Sequence, residues 1–144
     1  MTASETQTVM SPLMATTAPL PAPLVLVVDD DDKLSDVLAR SLERSGFTCL
    51  TAASGDQALW DQLIHAPDAL VLDVMIPHPS GVEICGYLRA RGFSGAIVMI
   101  SARAQAEDRA AALRAGADAF LAKPFPLGLL VDTLRAAMED RRVD

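Results

Sequence analysis

The chain has 144 residues, 51% of them hydrophobic, with 12 Lys and Arg against 19 Asp and Glu and a formal charge of -7. That length suits one domain with a core large enough to stand without disulfide or metal staples. The acid excess, the lack of any Lys/Arg block and an aromatic content of 4% argue against direct nucleic-acid binding and against an anionic membrane surface.

Residues 1–23 are rich in Thr, Ser and Pro and carry one charged side chain, Glu5, with no helical or strand period. They read as a flexible tail that ends in a polyproline-like segment. The first basic residue is Lys33, so no charged region precedes an apolar stretch as in a signal peptide. No apolar run approaches the roughly 18 residues of a membrane span. Cys49 and Cys85 stand apart from metal-site or C-x-x-C spacing and are expected to be buried apolar residues in a reducing cytoplasm.

From Leu24 onward, short apolar runs alternate with amphipathic ones. Strands are predicted at Leu24 to Val28, Phe47 to Ala52, Ala69 to Leu72, Ala96 to Ile100 and Ala119 to Leu121. Three of these are almost continuously apolar, as expected of strands covered on both faces. Leu34, Val37, Leu38 and Leu42 keep helical spacing up to Gly46, and Ala58, Leu59 and Leu63 do so after a Ser54-x-x-Gln57 capping box. Ser80-x-x-Glu83 opens a third helix to about Arg91, a fourth spans about Ala106 to Ala115, and a fifth about Leu127 to Glu139. The division expected is a tail at 1–23, one α/β domain at 24–139 and a short tail at 140–144. Alternation of this kind builds a doubly wound parallel sheet through right-handed crossovers. Ligands bind such sheets at the carboxyl ends of the strands.

Those ends carry the chemistry. Strand one ends in Asp29-Asp30-Asp31-Asp32, strand three in Asp73, strand four in Ser101, and strand five leads to Lys123-Pro124. Asp31 and Asp32 suit a solvated turn or helix N-cap. Bringing Asp29, Asp30 and Asp73 together raises one carboxyl pKa or binds a cation, and hard oxygen ligands of this kind suit Mg²⁺ with a phosphate. Lys123 would offer an ammonium and Ser101 a hydroxyl to phosphoryl oxygens, leaving the Asp73 carboxylate as nucleophile. The chemistry implied is phosphoryl transfer onto Asp73.

The stretches Leu26-Val27-Val28-Asp29-Asp30-Asp31, Pro67 to Pro77, Ile97 to Arg103, Gly116 to Leu121 and Ala122-Lys123-Pro124-Phe125 closely resemble the receiver domain of two-component response regulators. The resemblance covers about residues 24 to 139 and implies a five-stranded sheet in the order 2-1-3-4-5 flanked by five helices. It implies that Asp73 accepts a phosphoryl group from a histidine kinase or histidine phosphotransfer protein, in a signalling protein rather than an enzyme. It further implies Mg²⁺ on Asp30, Asp73 and the backbone carbonyl of Met75, with Asp29 acting mainly through metal-bound water. Ser101 and Phe120 fall at the switch positions, Lys123 at the family's Lys, and Pro124 after a cis Lys-Pro bond. Output would be a protein contact through the fourth and fifth helices of a monomer or weak phosphorylation-dependent dimer, in the cytoplasm.

The loop after Asp73 departs from the family pattern. Pro79 should stiffen it, while Ser80 can still cap the next helix and Gly81 is retained. Met75 and Arg103, two past Asp73 and two past Ser101, are bulky where bulk obstructs attacking water, so phosphate loss should be slow. His65 and His78 read as solvated. The 20 or so residues after Lys123 hold one helix and no output domain, which suggests a single-domain regulator or the excised receiver of a DNA-binding transcription factor. Competing readings are a haloacid-dehalogenase-like phosphatase, flavodoxin-like nucleotide binding, and a receiver that works without phosphorylation. The first lacks an acid pair after Lys123, the second lacks a Gly-rich phosphate loop, and the third leaves the full acidic, hydroxyl and Lys set unexplained.

Overall fold

A computed structural model describes residues 21–143 of the chain; the expected N-terminal tail lies outside the described residues except for its last three positions, as does Asp144. The elements are β1 (Leu24–Val28), α1 (Asp32–Arg44), β2 (Thr48–Ala52), α2 (Gly55–His65), β3 (Ala69–Asp73), α3 (Gly81–Ala90), β4 (Ala96–Ser101), α4 (Ala106–Ala115), β5 (Ala119–Ala122) and α5 (Leu127–Val143). All five strands pair in parallel, as the alternation predicts, in the order β2-β1-β3-β4-β5 that the resemblance implies.

The period of two along each strand sorts the core into two layers. Val25, Val27, Val71, Val98 and Ile100 pack against Leu38 and Leu42 of α1 and Leu130 and Leu134 of α5. Leu26, Val28, Leu70, Leu72, Ile97 and Met99 point the other way, onto Ala58 of α2, Ile84 and Leu88 of α3 and Ala112 of α4. Both faces are therefore dry, which is why the strand sequences barely alternate. Each fully buried Leu or Ile here contributes roughly 1.5–3 kcal/mol.

Helix ends follow local chemistry. The Asp31 side chain accepts from the Lys33 and Leu34 amides and caps α1. Ser80 and Glu83 complete a reciprocal capping box on α3. The box at Ser54 is only half made: Ser54 accepts from the Gln57 amide, while the Gln57 side chain turns to Asp61 at 2.8 Å. Gly116 stops α4 with φ 113°, a left-handed conformation that favours glycine.

Other details also differ from what the sequence predicts. α5 continues to Val143 rather than ending near Glu139, because Arg141 Nε donates to both carboxylate oxygens of Asp118 at 2.9 Å and fixes the last turn. Asp118 also accepts from Arg89 Nη2 at 3.1 Å and from the Ile97 amide at 2.8 Å, so one carboxylate ties α3, β4 and α5 together. Cys85 is buried as expected, but Cys49 is only partly so; burial lifts both thiols to about 11. Leu63 stands one turn beyond Leu59, which packs partly against the core, but is 72% exposed, beside Trp60 at 61% and Ile64 at 55%. α2 fully buries only Gly55 and Ala58 and packs Leu59 partly against the core, so Trp60, Leu63 and Ile64 are left facing outward. Among the described residues no helix is long and apolar enough to cross a membrane.

Candidate functional site

Four of the five strands deliver polar groups to one edge of the sheet. Asp29 follows β1 and is 1% exposed, yet it is fully engaged: Oδ1 accepts from the Asp31 amide at 2.9 Å and Oδ2 from Lys123 Nζ at 2.7 Å. Ser35 Oγ donates to the Asp29 carbonyl at 3.2 Å and pins the strand end to α1. Asp73 closes β3, where Oδ1 accepts from the Met75 amide at 2.9 Å and Oδ2 from Lys123 Nζ at 3.1 Å. Lys123, from beyond β5, thus spans two buried carboxylates contributed by β1 and β3. Its own amide donates to the Ser101 carbonyl at 2.8 Å, and its bond to Pro124 is cis, as is the one between His78 and Pro79.

Electrostatics follow from this geometry. Burial raises the Asp73 pKa above the ordinary carboxylate range and the neighbouring Asp29 charge adds to it, against the Met75 amide and the Lys123 ammonium, which pull it down. For Lys123, burial works against the charged form, but the hydrogen bonds and charges of Asp29 and Asp73 together outweigh it, and its pKa rises. One ammonium meets several carboxylates, so the pocket retains an excess of negative charge.

That excess fits a hard cation. Asp29, Asp30 and Asp73 each offer a carboxylate oxygen, all within 4.8 Å of one another, with Asp29 and Asp73 buried and Asp30 exposed at the mouth. An all-oxygen donor set with an open side matches the needs of Mg²⁺, which keeps several waters. Met75 lies at the same mouth, 54% exposed, with its amide on Asp73. The loop that carries it closes against Gly81, where a Cβ would collide with the Asp73 carbonyl; glycine is required there by close approach.

Ser101 ends β4 with no exposed surface, and its hydroxyl accepts from the Arg103 amide at 3.0 Å. Phe120 lies on β5 at 5% exposure, with its side chain already in the core. The Arg109 guanidinium of α4 stands 4.9 Å above the Phe120 ring and Nη1 donates to the Phe120 carbonyl at 3.1 Å. Arg109 has no local sequence signal, because the two residues meet only when α4 folds back along β5. Asp31 and Asp32 stay outside the pocket, as the cap and first residue of α1. His78 is solvent-exposed and sits 3.2 Å from Glu83, whose carboxyl the Ser80 amide holds below its ordinary range.

A family model described as the response regulator receiver domain matches residues 25–135. Transcriptional regulatory protein PrrA of Mycobacterium tuberculosis is 42% identical over 120 residues, 83% of this chain and 52% of that protein. Response regulator MprA of Mycobacterium avium is 43% identical over 114 residues, 79% of this chain and 50% of that protein. The chain therefore spans about half the length of the curated relatives it matches. Among solved structures, the receiver domain of the Francisella response regulator 1452 superposes with a TM-score of 0.78 at 28% identity, covering 85% of this chain and 99% of that one. Response regulator DrrB of Thermotoga maritima gives 0.76 at 27% identity, covering 83% of this chain and 54% of that one.

Proposed function

The chain belongs to the response-regulator receiver family, and on that premise we propose that it is a phosphoacceptor of two-component signalling that takes a phosphoryl group on Asp73. The donor is the phosphohistidine of a histidine kinase or histidine phosphotransfer protein. An Asp73 oxygen attacks phosphorus, the P–N bond breaks as the P–O bond forms, and the imidazole leaves with the bonding pair. Asp29, Asp30 and Asp73, with the Met75 carbonyl, would hold Mg²⁺, which when bound supplies positive charge beside the incoming phosphoryl oxygens.

The chain's own groups do the rest. Lys123 donates a charge-assisted hydrogen bond to a phosphoryl oxygen once Asp73 is phosphorylated, giving up its present bond to that carboxylate. The Ser101 hydroxyl, at the end of the adjacent strand, bonds a second oxygen, and Phe120 reports that movement to α4 and α5. The output is a contact with a downstream protein through these helices, in the cytoplasm, biased by contacts made only in the phosphorylated state.

What carries this reading is the convergence of Asp29, Asp30 and Asp73 with Lys123 at one strand edge. The haloacid-dehalogenase alternative needs its nucleophile after the first strand, whereas Asp73 ends β3. Incubation with acetyl phosphate, with and without Mg²⁺, followed by mass spectrometry tests the proposal. A phosphoryl adduct that requires Mg²⁺ and vanishes in Asp73→Asn is expected. No adduct on the parent, or its full persistence in the variant, overturns the assignment.

A further inference from the structure

The flank between α2 and α3 carries a groove of about 610 Å³ lined by Leu59, Trp60, Leu63, Tyr87, Arg91 and Phe93, among others. It gathers the chain's only Trp, its only Tyr and one of its four Phe, although aromatics make up just 4% of the sequence. Trp60, Leu63 and Tyr87 are 61%, 72% and 47% exposed, and Ile64 beside them is 55% exposed. The Arg91 guanidinium stacks 4.7 Å over the Tyr87 ring, which extends the flat wall of the groove. The phosphoacceptor site makes no use of this surface.

We propose that this groove is an interaction surface whose occupant is the chain's own N-terminal segment, residues 1–20. Three observations favour that occupant. The first is a continuous path. Pro21, Ala22 and Pro23, where the described chain begins, line a depression with Asp68, Ser94 and Gly95. Asp68, Ser94 and Gly95 line the next one together with Gln62, Arg91 and Phe93, and those last three are also walls of the α2–α3 groove. Twenty residues reach about 60 Å when extended, more than the path across one small domain requires.

The second is matching chemistry. Aromatic-lined grooves take Pro-rich segments, whose backbone entropy is already low and whose rings stack on flat side chains. Residues 9–20 hold Pro12 and Pro19 with Val9, Met10, Leu13, Met14 and Leu20 and no charged side chain, so docking that stretch strands no ion in the groove. The third is size. The four exposed side chains present on the order of 400 Å² of apolar surface. That is about half of the ~800 Å² per partner buried in a standard interface, enough for a short segment and too little for a second folded copy.

Trp60, the sole tryptophan, is the reporter. Acrylamide quenching is measured on the full chain and on a chain starting at Pro21, which retains β1 to β5 and α1 to α5. At least a twofold weaker quenching in the full chain is expected, with a blue-shifted emission, and a synthetic peptide of residues 1–20 added to the shortened chain should restore both. Leu63→Glu in the full chain should raise quenching to the level of the shortened chain at unchanged far-ultraviolet circular dichroism. Equal quenching in the two chains overturns the proposal. So does protection that survives the shortening and grows with protein concentration, because a second copy would then fill the groove.

Discussion

The Arg109 guanidinium lies 4.9 Å over the Phe120 ring and donates to the carbonyl of the same residue, so one α4 side chain holds both the ring and the backbone of β5. A cation–π contact at an exposed site contributes about 0.5–1 kcal/mol and the hydrogen bond about 1 kcal/mol more. Arg109→Ala is expected to lower unfolding free energy by about 1–2 kcal/mol in urea denaturation, and Arg109→Lys by less, because the ammonium keeps the charge over the ring. If Phe120 relays phosphorylation to α4, the alanine variant also loses phosphorylation-dependent change in α4 while still forming the Asp73 adduct.

Lys123 spans Asp29 and Asp73, and Lys123→Met removes the ammonium while leaving both carboxylates buried. Breaking such a pair costs roughly 3–5 kcal/mol when fully buried, and somewhat less here because the Lys side chain is 18% exposed. The variant should be strongly destabilised in EDTA, and Mg²⁺ should restore more stability to it than to the parent, because a ligand that binds only the folded state stabilises it. Urea midpoints with and without Mg²⁺ measure both effects; an equal Mg²⁺ response in the two proteins would count against metal at this pocket.

Burial holds the Asp73 carboxyl above its ordinary range, so the folded chain binds that proton more tightly than the unfolded chain does. Stability from this group is complete below the unfolded pKa and is lost as pH rises through the folded one. Asp73→Asn removes that loss. Without Mg²⁺ it should unfold at a higher urea concentration than the parent at neutral pH, with the advantage shrinking as the solution is acidified. A less stable variant at neutral pH would contradict the sign.

Met75 is 54% exposed at the mouth beside Asp73, and Arg103 follows Ser101, held over α4 by Asp108 at 3.1 Å. Bulk at both places should hinder water on its way to the acyl phosphate. Replacing Met75 and Arg103 by smaller or acidic residues is expected to speed phosphate loss several-fold, measured as decay of the phosphoryl adduct after the donor is removed. An unchanged rate would place the barrier elsewhere.

Much of the molecule was legible along the chain. Five apolar runs with polar ends identified β1 to β5 and brought Asp29, Asp73, Ser101 and Lys123 to one edge, because a parallel sheet puts every strand's carboxyl end on the same side. Ser80 and Glu83 gave the start of α3, since a capping box is written in adjacent residues. Where the outcome depends on a neighbour far away in sequence, the reading fell short. The last turn of α5 rests on Arg141 meeting Asp118, and Leu63, one turn beyond the core-packed Leu59, is exposed near the end of α2.

Local period and residue type dictate the alternation of elements and the acidic and basic groups at the strand ends. Packing in three dimensions is what sets Lys123 on Asp29 and Asp73, Arg109 over Phe120, and Trp60 and Tyr87 in one open groove. Each of those is a distance between segments joined only through the packed sheet, and no local propensity encodes it.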